Sequence, residues 1–315
     1  NGGVQKNINS NMLCSTSDVF ITEACEYKDR FLSLNNFVSV VLNIRPDHLD
    51  YFHDIDREFA SFQKFVDNTD KNGYVIVNND DNLSRKLMVK ANKITFGIEN
   101  DADLQAKNIK DDRGQYSFDL FFKNENLGRI KLSCFGKHNI YNALACAGVS
   151  IVMEKNFKQI KKGIEGFEGV ERRFEVLVKR KDRMIVHDYA HHPDEIRATL
   201  NLCGELGYKK IIAIFQPHTF SRTKDLYGEF LNCFEKADEI WTLPIYPARE
   251  KAIKGISSYR LAKDLKDRGK KSKYFKNFDD CYKNIVKNSE KSVLFVILGA
   301  GDIVYLANKF KNKKK

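Results

Sequence analysis

An apolar run that breaks directly into a burst of polar side chains, with a helix start close behind, constrains this chain more than any other pattern. Met184–Val186 leads into His187-Asp188-Tyr189-Ala190-His191-His192-Pro193-Asp194-Glu195, where the proline suits the first turn of a helix. Ile211–Phe215 leads in the same way into Gln216-Pro217-His218-Thr219-Phe220-Ser221-Arg222-Thr223. Such strand–loop–helix junctions belong to open α/β sheets, which gather ligand chemistry at the carboxyl ends of their strands.

At 315 residues the chain is long for one core, so two domains are expected. The boundary is expected at the glycine-bearing stretch 163–169, giving domains 1–170 and 171–315. In the first, residues 19–22, 37–42 and 74–77 read as strands, the second as one buried on both faces. Residues 57–66 read as a helix with Phe59, Phe62, Phe65 and Val66 on one side. Residues 116–122 and 129–134 read as a hairpin, followed by a long helix from Asn139 to about Met153. In the second domain, strands at 184–187, 210–215, 239–243 and 293–298 alternate with helices at 193–206, 224–236, 258–268, 279–287 and 302–310. That alternation predicts a parallel sheet covered on both faces.

Composition removes several classes. No apolar run approaches the length of a membrane span. The seven cysteines contain no CxxC pair, so they read as reduced thiols, mostly core filler, of a cytoplasmic protein. The net charge of +11 is partly a tail, Lys309–Lys315, in which five of seven residues are lysine. No basic stripe interleaved with aromatics accompanies it, so nucleic acid is not an expected partner. The start, Asn1-Gly2-Gly3, has no methionine and no signal pattern, and reads as the later part of a longer protein.

Four clusters carry candidate chemistry. After the strand at 37–42, Asp47, His48 and Asp50 offer oxygen and nitrogen ligands for a divalent cation, with Glu23 at the end of the preceding strand as the natural carboxylate partner. The bland alternative is that Asp47 caps the next segment and His48 is a satisfied half-buried histidine. His138, Asn139 and Asn142 open the long helix, where amides can hydrogen-bond a purine edge and an imidazole can stack on it, unless Asn139 is simply an N-cap. Arg172 and Arg173 are either phosphate contacts or surface charge. Asp188, Tyr189 and His191 share one loop and His218 and Arg222 the other, and Arg222 suits a bidentate grip on a carboxylate or phosphate.

Eight ordered segments carry a resemblance: TEACEY (22–27), NIRPDHLDYF (43–52), GKHNIYNALA (136–145), ERRFE (171–175), HDYAHHPDEI (187–196), QPHTFSRT (216–223), IYPAREK (245–251) and LGAGDI (298–303). The set resembles the Mur ligases of peptidoglycan synthesis, and most closely their alanine-adding branch. The resemblance implies an α/β fold: a partial central ATPase-like domain followed by a Rossmann-like C-terminal domain. It implies ATP and Mg2+ as cofactors, UDP-N-acetylmuramate and L-alanine as substrates, and an acyl-phosphate intermediate. Glu23 and His48 then look like metal ligands, and His138, Asn139 and Asn142 like adenine contacts, with Arg173 and Asp188 nearer ribose and phosphates. Tyr189, His191, His218 and Arg222 resemble the alanine-binding set, His191 being the candidate proton acceptor.

Two departures from the family pattern stand out. Some members have a second arginine where Thr219 stands. The family's phosphate loop, ending Gly-Lys-Thr, has no counterpart in these 315 residues, so the chain by itself is expected to be inactive. The rival readings are the related murein-recycling ligase, which adds a tripeptide, and a non-catalytic nucleotide-binding fragment. Oligomeric state is not legible.

Overall fold

The computed structural model describes residues 3–311, without the side chains of Leu49 and Asp50. The Asp50 candidate and the end of the lysine tail therefore lie outside the described residues. The chain divides into two compact units, Asn1–Gly169 and Val170–Lys315.

The first unit runs β1 (Asn36–Val41), α1 (Leu49–Phe52), α2 (Ile55–Asp67), β2 (Thr69–Asn78), β3 (Asn92–Gly97), β4 (Leu104–Asp112), β5 (Gln115–Phe122), β6 (Glu125–Phe135), α3 (His138–Val152) and α4 (Phe157–Glu165). Its sheet is ordered β1-β2-β3-β4-β5-β6, parallel through β4 and antiparallel beyond. Val75, Ile76 and Val77 of β2 are fully buried, as the interior strand of a parallel stack requires. On one face α3 buries Ile140, Ala143, Leu144 and Ala147, each large aliphatic contributing roughly 1.5–3 kcal/mol. On the other, α2 is capped by Asp54, which accepts the Arg57 N–H at 2.8 Å, and it presses Phe65 onto Phe31 with ring centroids 4.7 Å apart.

Three expectations are corrected, two for this unit and one for the cysteines of the whole chain. Residues 19–22 form no strand: Val19, Phe20 and Ile21 are exposed, and no ladder partner lies beside them. A β-rich composition cannot form a strand without a neighbour for its N–H and C=O groups. For the same reason β1 is not buried on both faces. It is an edge, with Phe37 51% exposed, bordering an apolar groove of about 930 Å³ that Phe20 and Ile21 also line. The cysteines are not mostly core: Cys203, Cys233 and Cys281 are buried, whereas Cys14, Cys25 and Cys146 are exposed, and all seven are free thiols.

The second unit runs β7 (Glu175–Arg180), β8 (Arg183–Asp188), α5 (Pro193–Glu205), β9 (Lys210–Phe215), α6 (Phe220–Asp225), α7 (Tyr227–Phe230), β10 (Glu239–Thr242), α8 (Ser258–Asp267), β11 (Lys271–Tyr274), α9 (Phe278–Lys287), β12 (Val293–Leu298) and α10 (Val304–Lys311). The sheet order is β11-β10-β9-β12-β8-β7, parallel except for β7. β12 is the centre, every residue fully buried. Its last residue, Leu298, is paired with both Asp188 and Phe215, so the loops after β8, β12 and β9 leave the sheet side by side. The single helix expected over 224–236 is instead the short α6 and α7. Thr219 starts α6 early by accepting the Arg222 N–H, and Gly228 weakens the continuation. No described helix is long and apolar enough to cross a membrane.

Candidate active site

In the first unit, two carboxylates after β2 tie the loops at the sheet's carboxyl edge. Asp81, almost fully buried, accepts from the Ile44 and Ser84 backbone N–H groups at 3.2 and 2.8 Å and meets Arg45 at 3.1 Å. Asp80 accepts the backbone N–H groups of Ile98, Glu99 and Asn100 and the Tyr141 hydroxyl. Burial opposes its ionisation, but those donors outweigh it and hold the carboxyl below its ordinary range. The result is a cavity of about 350 Å³ lined by Leu42, Arg45, Asp80, His138, Tyr141 and Asn142, among others.

His138 and Asn142 thus reach one cavity, both exposed. Asn139 does not cap α3, whose N-cap is Lys137. Its amide N–H donates to the Phe135 carbonyl at 2.7 Å and its oxygen accepts from Asn142 at 3.0 Å. Asn139 therefore orients Asn142, with its own amide already used.

At the edge expected to hold a cation, His48 clusters with Glu26 and Asp47. His48, at φ +50°, has Nε2 3.3 Å from Glu26 and Nδ1 3.8 Å from Asp47. One ligand atom from each of the three lies within 4.8 Å of the others. Glu23 is exposed on the irregular segment and is not in this group. Without a strand at 19–22 to aim it, the turn beginning at Tyr27 sets the register. Tyr27 packs on the His48 ring at 4.7 Å. Behind the cluster, buried Glu58 accepts the Asp47 N–H at 3.2 Å. Burial, with the charges of Asp47 and Glu26 adding to it, raises the Glu58 carboxyl. Two carboxylates and an imidazole with open sides suit a divalent cation that keeps several waters.

In the second unit the loops after β8, β9 and β10 bring four rings into one cluster. The rings of Tyr189 and His191 are 5.4 Å apart, His191 and His218 5.6 Å, and His218 and Tyr246 5.4 Å. Arg222 Nη1 lies 3.2 Å from His218 Nδ1. Burial first and the Arg222 charge second push the His218 imidazole below its ordinary value, and burial does the same to His191. The cluster therefore presents neutral imidazoles and one guanidinium. Asp188 is 8% exposed and turns inward, accepting from Phe174 and Ala190 at 2.7 and 2.8 Å. It fixes the backbone that carries Arg173, which is itself exposed. Arg172 is anchored on the Ala300 carbonyl at 2.9 Å and over the Tyr189 ring at 4.4 Å, so it is not plain surface charge.

Sequence reasoning missed the residues that brace this cluster. Glu250 accepts the Ser221 N–H at 2.9 Å, and Thr219 N–H donates to the Tyr246 carbonyl at 2.8 Å. Gln216 joins three loops, donating to Asp302 at 2.6 Å and the Pro244 carbonyl at 3.2 Å and accepting from Ile303 N–H at 2.9 Å. Gly301 lets them approach: a Cβ there would meet Tyr246 side-chain carbons at 2.6 Å. All lie inside or beside motifs visible in the sequence, but pattern alone does not say which residue is the hub.

Comparison with known proteins agrees with this division. Residues 3–150 match the model of the Mur ligase middle domain, and residues 172–301 that of the Mur ligase, glutamate ligase domain. The UDP-N-acetylmuramate–L-alanine ligase of Clostridium botulinum (strain Loch Maree) is 41% identical over 314 residues, which are 99% of this chain and 68% of that protein. The ligase of the same name from Caldanaerobacter subterraneus is 40% identical, covering 100% of this chain and 69% of that protein. The crystal structure of UDP-N-acetylmuramate-alanine ligase from Thermotoga maritima aligns with a TM-score of 0.69 at 26% identity, over 91% of this chain. The chain spans 61% of the length of that solved structure.

Proposed function

The chain belongs to the Mur ligase family, and on that premise we propose that it carries the nucleotide, metal and amino-acid sites of an ATP-dependent ligase joining L-alanine to the lactyl carboxylate of UDP-N-acetylmuramate. The observation that carries this reading is the side-chain cluster at the ends of β8 and β9, where Arg222 sits beside His218 and the His191 and His218 rings lie 5.6 Å apart. A guanidinium among neutral imidazoles suits a small zwitterion: Arg222 takes the carboxylate, and the imidazoles leave the amine free to lose its proton.

A carboxylate has no usable leaving group, so the lactyl carboxylate is first phosphorylated by ATP. The alanine amine then displaces phosphate from the acyl phosphate. His138 stacks on the purine, and Asn142, steadied by Asn139, reads its edge. Arg173 meets phosphate oxygens, and Asp188 acts through the segment it holds. His48 anchors the cation side with Glu26 and Asp47, Glu23 being the second candidate carboxylate. A bound Mg2+ would neutralise the crowded phosphate oxygens during transfer. Tyr189, His191, His218 and Arg222 hold the amino acid in line, a proximity effect.

These 315 residues contain no Gly-x-x-Gly-Lys-Ser/Thr phosphate loop. In this proposal they are inactive until joined to a segment that supplies one. The reading is tested by fusing residues 1–315 behind the corresponding N-terminal part of the Clostridium botulinum relative and offering UDP-N-acetylmuramate, ATP and Mg2+ with either L-alanine or a tripeptide. L-Alanine ligation with matching ADP release is expected. Preference for the tripeptide would instead favour a murein-recycling role.

A further inference from the structure

Glu195 makes two kinds of contact from one oxygen. It lies in the first turn of α5, and its Oε2 accepts the backbone N–H groups of His191 at 2.9 Å and His192 at 3.1 Å, closing a reciprocal cap with the His192 side chain. The same Oε2 lies 3.2 Å from Nδ1 of the His191 ring. Nδ1 also faces the Tyr189 carbonyl at 3.1 Å. Two acceptors around Nδ1 require that nitrogen to carry the proton. Nε2 of the neutral ring then holds the lone pair, and among the described residues no group hydrogen-bonds to it.

A cap alone does not need this arrangement, because glutamine serves equally at that position. The carboxylate adds a negative charge beside a ring whose surroundings oppose protonation. Burial is the largest influence lowering the imidazole, and Arg222 and His192 act in the same direction, while Glu195 opposes them. Tyr189 and His218 are the other titratable side chains against the ring.

We infer that Glu195 is a positioning residue that fixes His191 as the Nδ1–H tautomer and sustains the basicity of Nε2. Resting on the amino-acid site proposed above, Nε2 is the group that takes the proton of the incoming amine. One N–H bond of the substrate ammonium breaks, its electron pair staying on nitrogen as the nucleophile. One N–H bond forms at Nε2, and the resulting imidazolium is paired with the Glu195 carboxylate.

The test is titration of 15N-histidine-labelled residues 1–315 by NMR, which reads the tautomer and proton affinity of His191 without requiring turnover. In the unmodified chain, the neutral ring is expected to carry its proton on Nδ1. Glu195→Gln keeps the cap, so α5 amide signals stay in place, while the His191 titration moves down by about one unit, a tenfold loss of proton affinity. Glu195→Ala gives the same shift together with fraying of the first turn of α5. A proton on Nε2 in the unmodified chain, or an unmoved titration in either variant, overturns the inference. If the titration moves as expected but the fusion ligates no alanine, the ligase reading fails and the pairing stands.

Discussion

Arg222 Nη1 and His218 Nδ1 are 3.2 Å apart, four residues along the same loop and first helical turn. A guanidinium has only donors, so Nδ1 must be the bare nitrogen of a neutral His218. The pair therefore aims the guanidinium without neutralising it, which is the state a carboxylate ligand needs. Arg222→Lys loses the planar fork and this orientation. In the fusion enzyme it is expected to raise KM for L-alanine on the order of tenfold or more, with a smaller effect on kcat. Steady-state kinetics with varied L-alanine checks this, and an unchanged KM would remove Arg222 from the amino-acid site.

The metal edge separates two glutamates three residues apart. Glu26 lies 3.3 Å from His48 and shares a cluster with it and Asp47, a cluster that does not include Glu23. Mn2+ binding to residues 1–169 within the intact chain, followed by electron paramagnetic resonance, is expected to weaken on the order of tenfold in Glu26→Gln and little in Glu23→Gln. The reverse order would restore Glu23 as the ligand expected from motif resemblance.

His187 is fully buried on β8, and neither ring nitrogen has a hydrogen-bond partner. Burial, with Arg172 and Lys311 adding to it, pushes its pKa down to about 3. The folded value lies below the unfolded one, so its contribution to stability is intact above about pH 6.5. That contribution is lost as pH falls from there towards about 3, at roughly 1.4 kcal/mol per pH unit inside the window. His187→Leu should flatten that part of the acid dependence. Urea unfolding at neutral and mildly acid pH, followed by the single tryptophan, Trp241 in the same sheet, measures it. Identical pH dependence in the two proteins would contradict the assignment.

Gly301 packs against Tyr246 with no room for a side chain. Gly301→Ala drives a Cβ to 2.6 Å from Tyr246 carbons, so the 245–250 loop must shift. The expected cost is about 1–3 kcal/mol of stability, with a parallel rise in KM for L-alanine because Tyr246 carries His218 and Thr219. Thermal unfolding and kinetics on the same variant check both.

The second unit was the more legible of the two in sequence. Its strand β12 is an uninterrupted apolar run, β9 is one after Lys210 and β8 has an apolar middle at Met184–Val186, and Pro193 marks where α5 begins. The polar edge strands were missed: β11 is Lys-Ser-Lys-Tyr, a charged edge whose composition guards against pairing rather than announcing a strand. In the first unit Val19–Thr22 has strand composition and forms none, because pairing is not encoded in one segment. His138, which lines a cavity, and His191 and Arg222, which lie in one ring-and-guanidinium cluster, are readable as chemistry out of place in a packing pattern. Their braces Glu195, Gln216 and Glu250 are not, because a buttressing hydrogen bond depends on distances across 4 to 87 residues of chain that only folding sets.

The proposed ligase has its alanine, purine and cation sites on these residues and its phosphate loop on a segment they do not contain. The most direct measurement is L-alanine-dependent ADP release with UDP-N-acetylmuramate, ATP and Mg2+, for residues 1–315 alone and for the fusion to a loop-bearing segment. No release above background is expected from residues 1–315 alone, and release matched one-to-one by alanine ligation is expected in the fusion, abolished by Arg222→Ala. Full activity from the 315 residues alone, or a fusion that ligates alanine equally well without Arg222, would contradict this proposal.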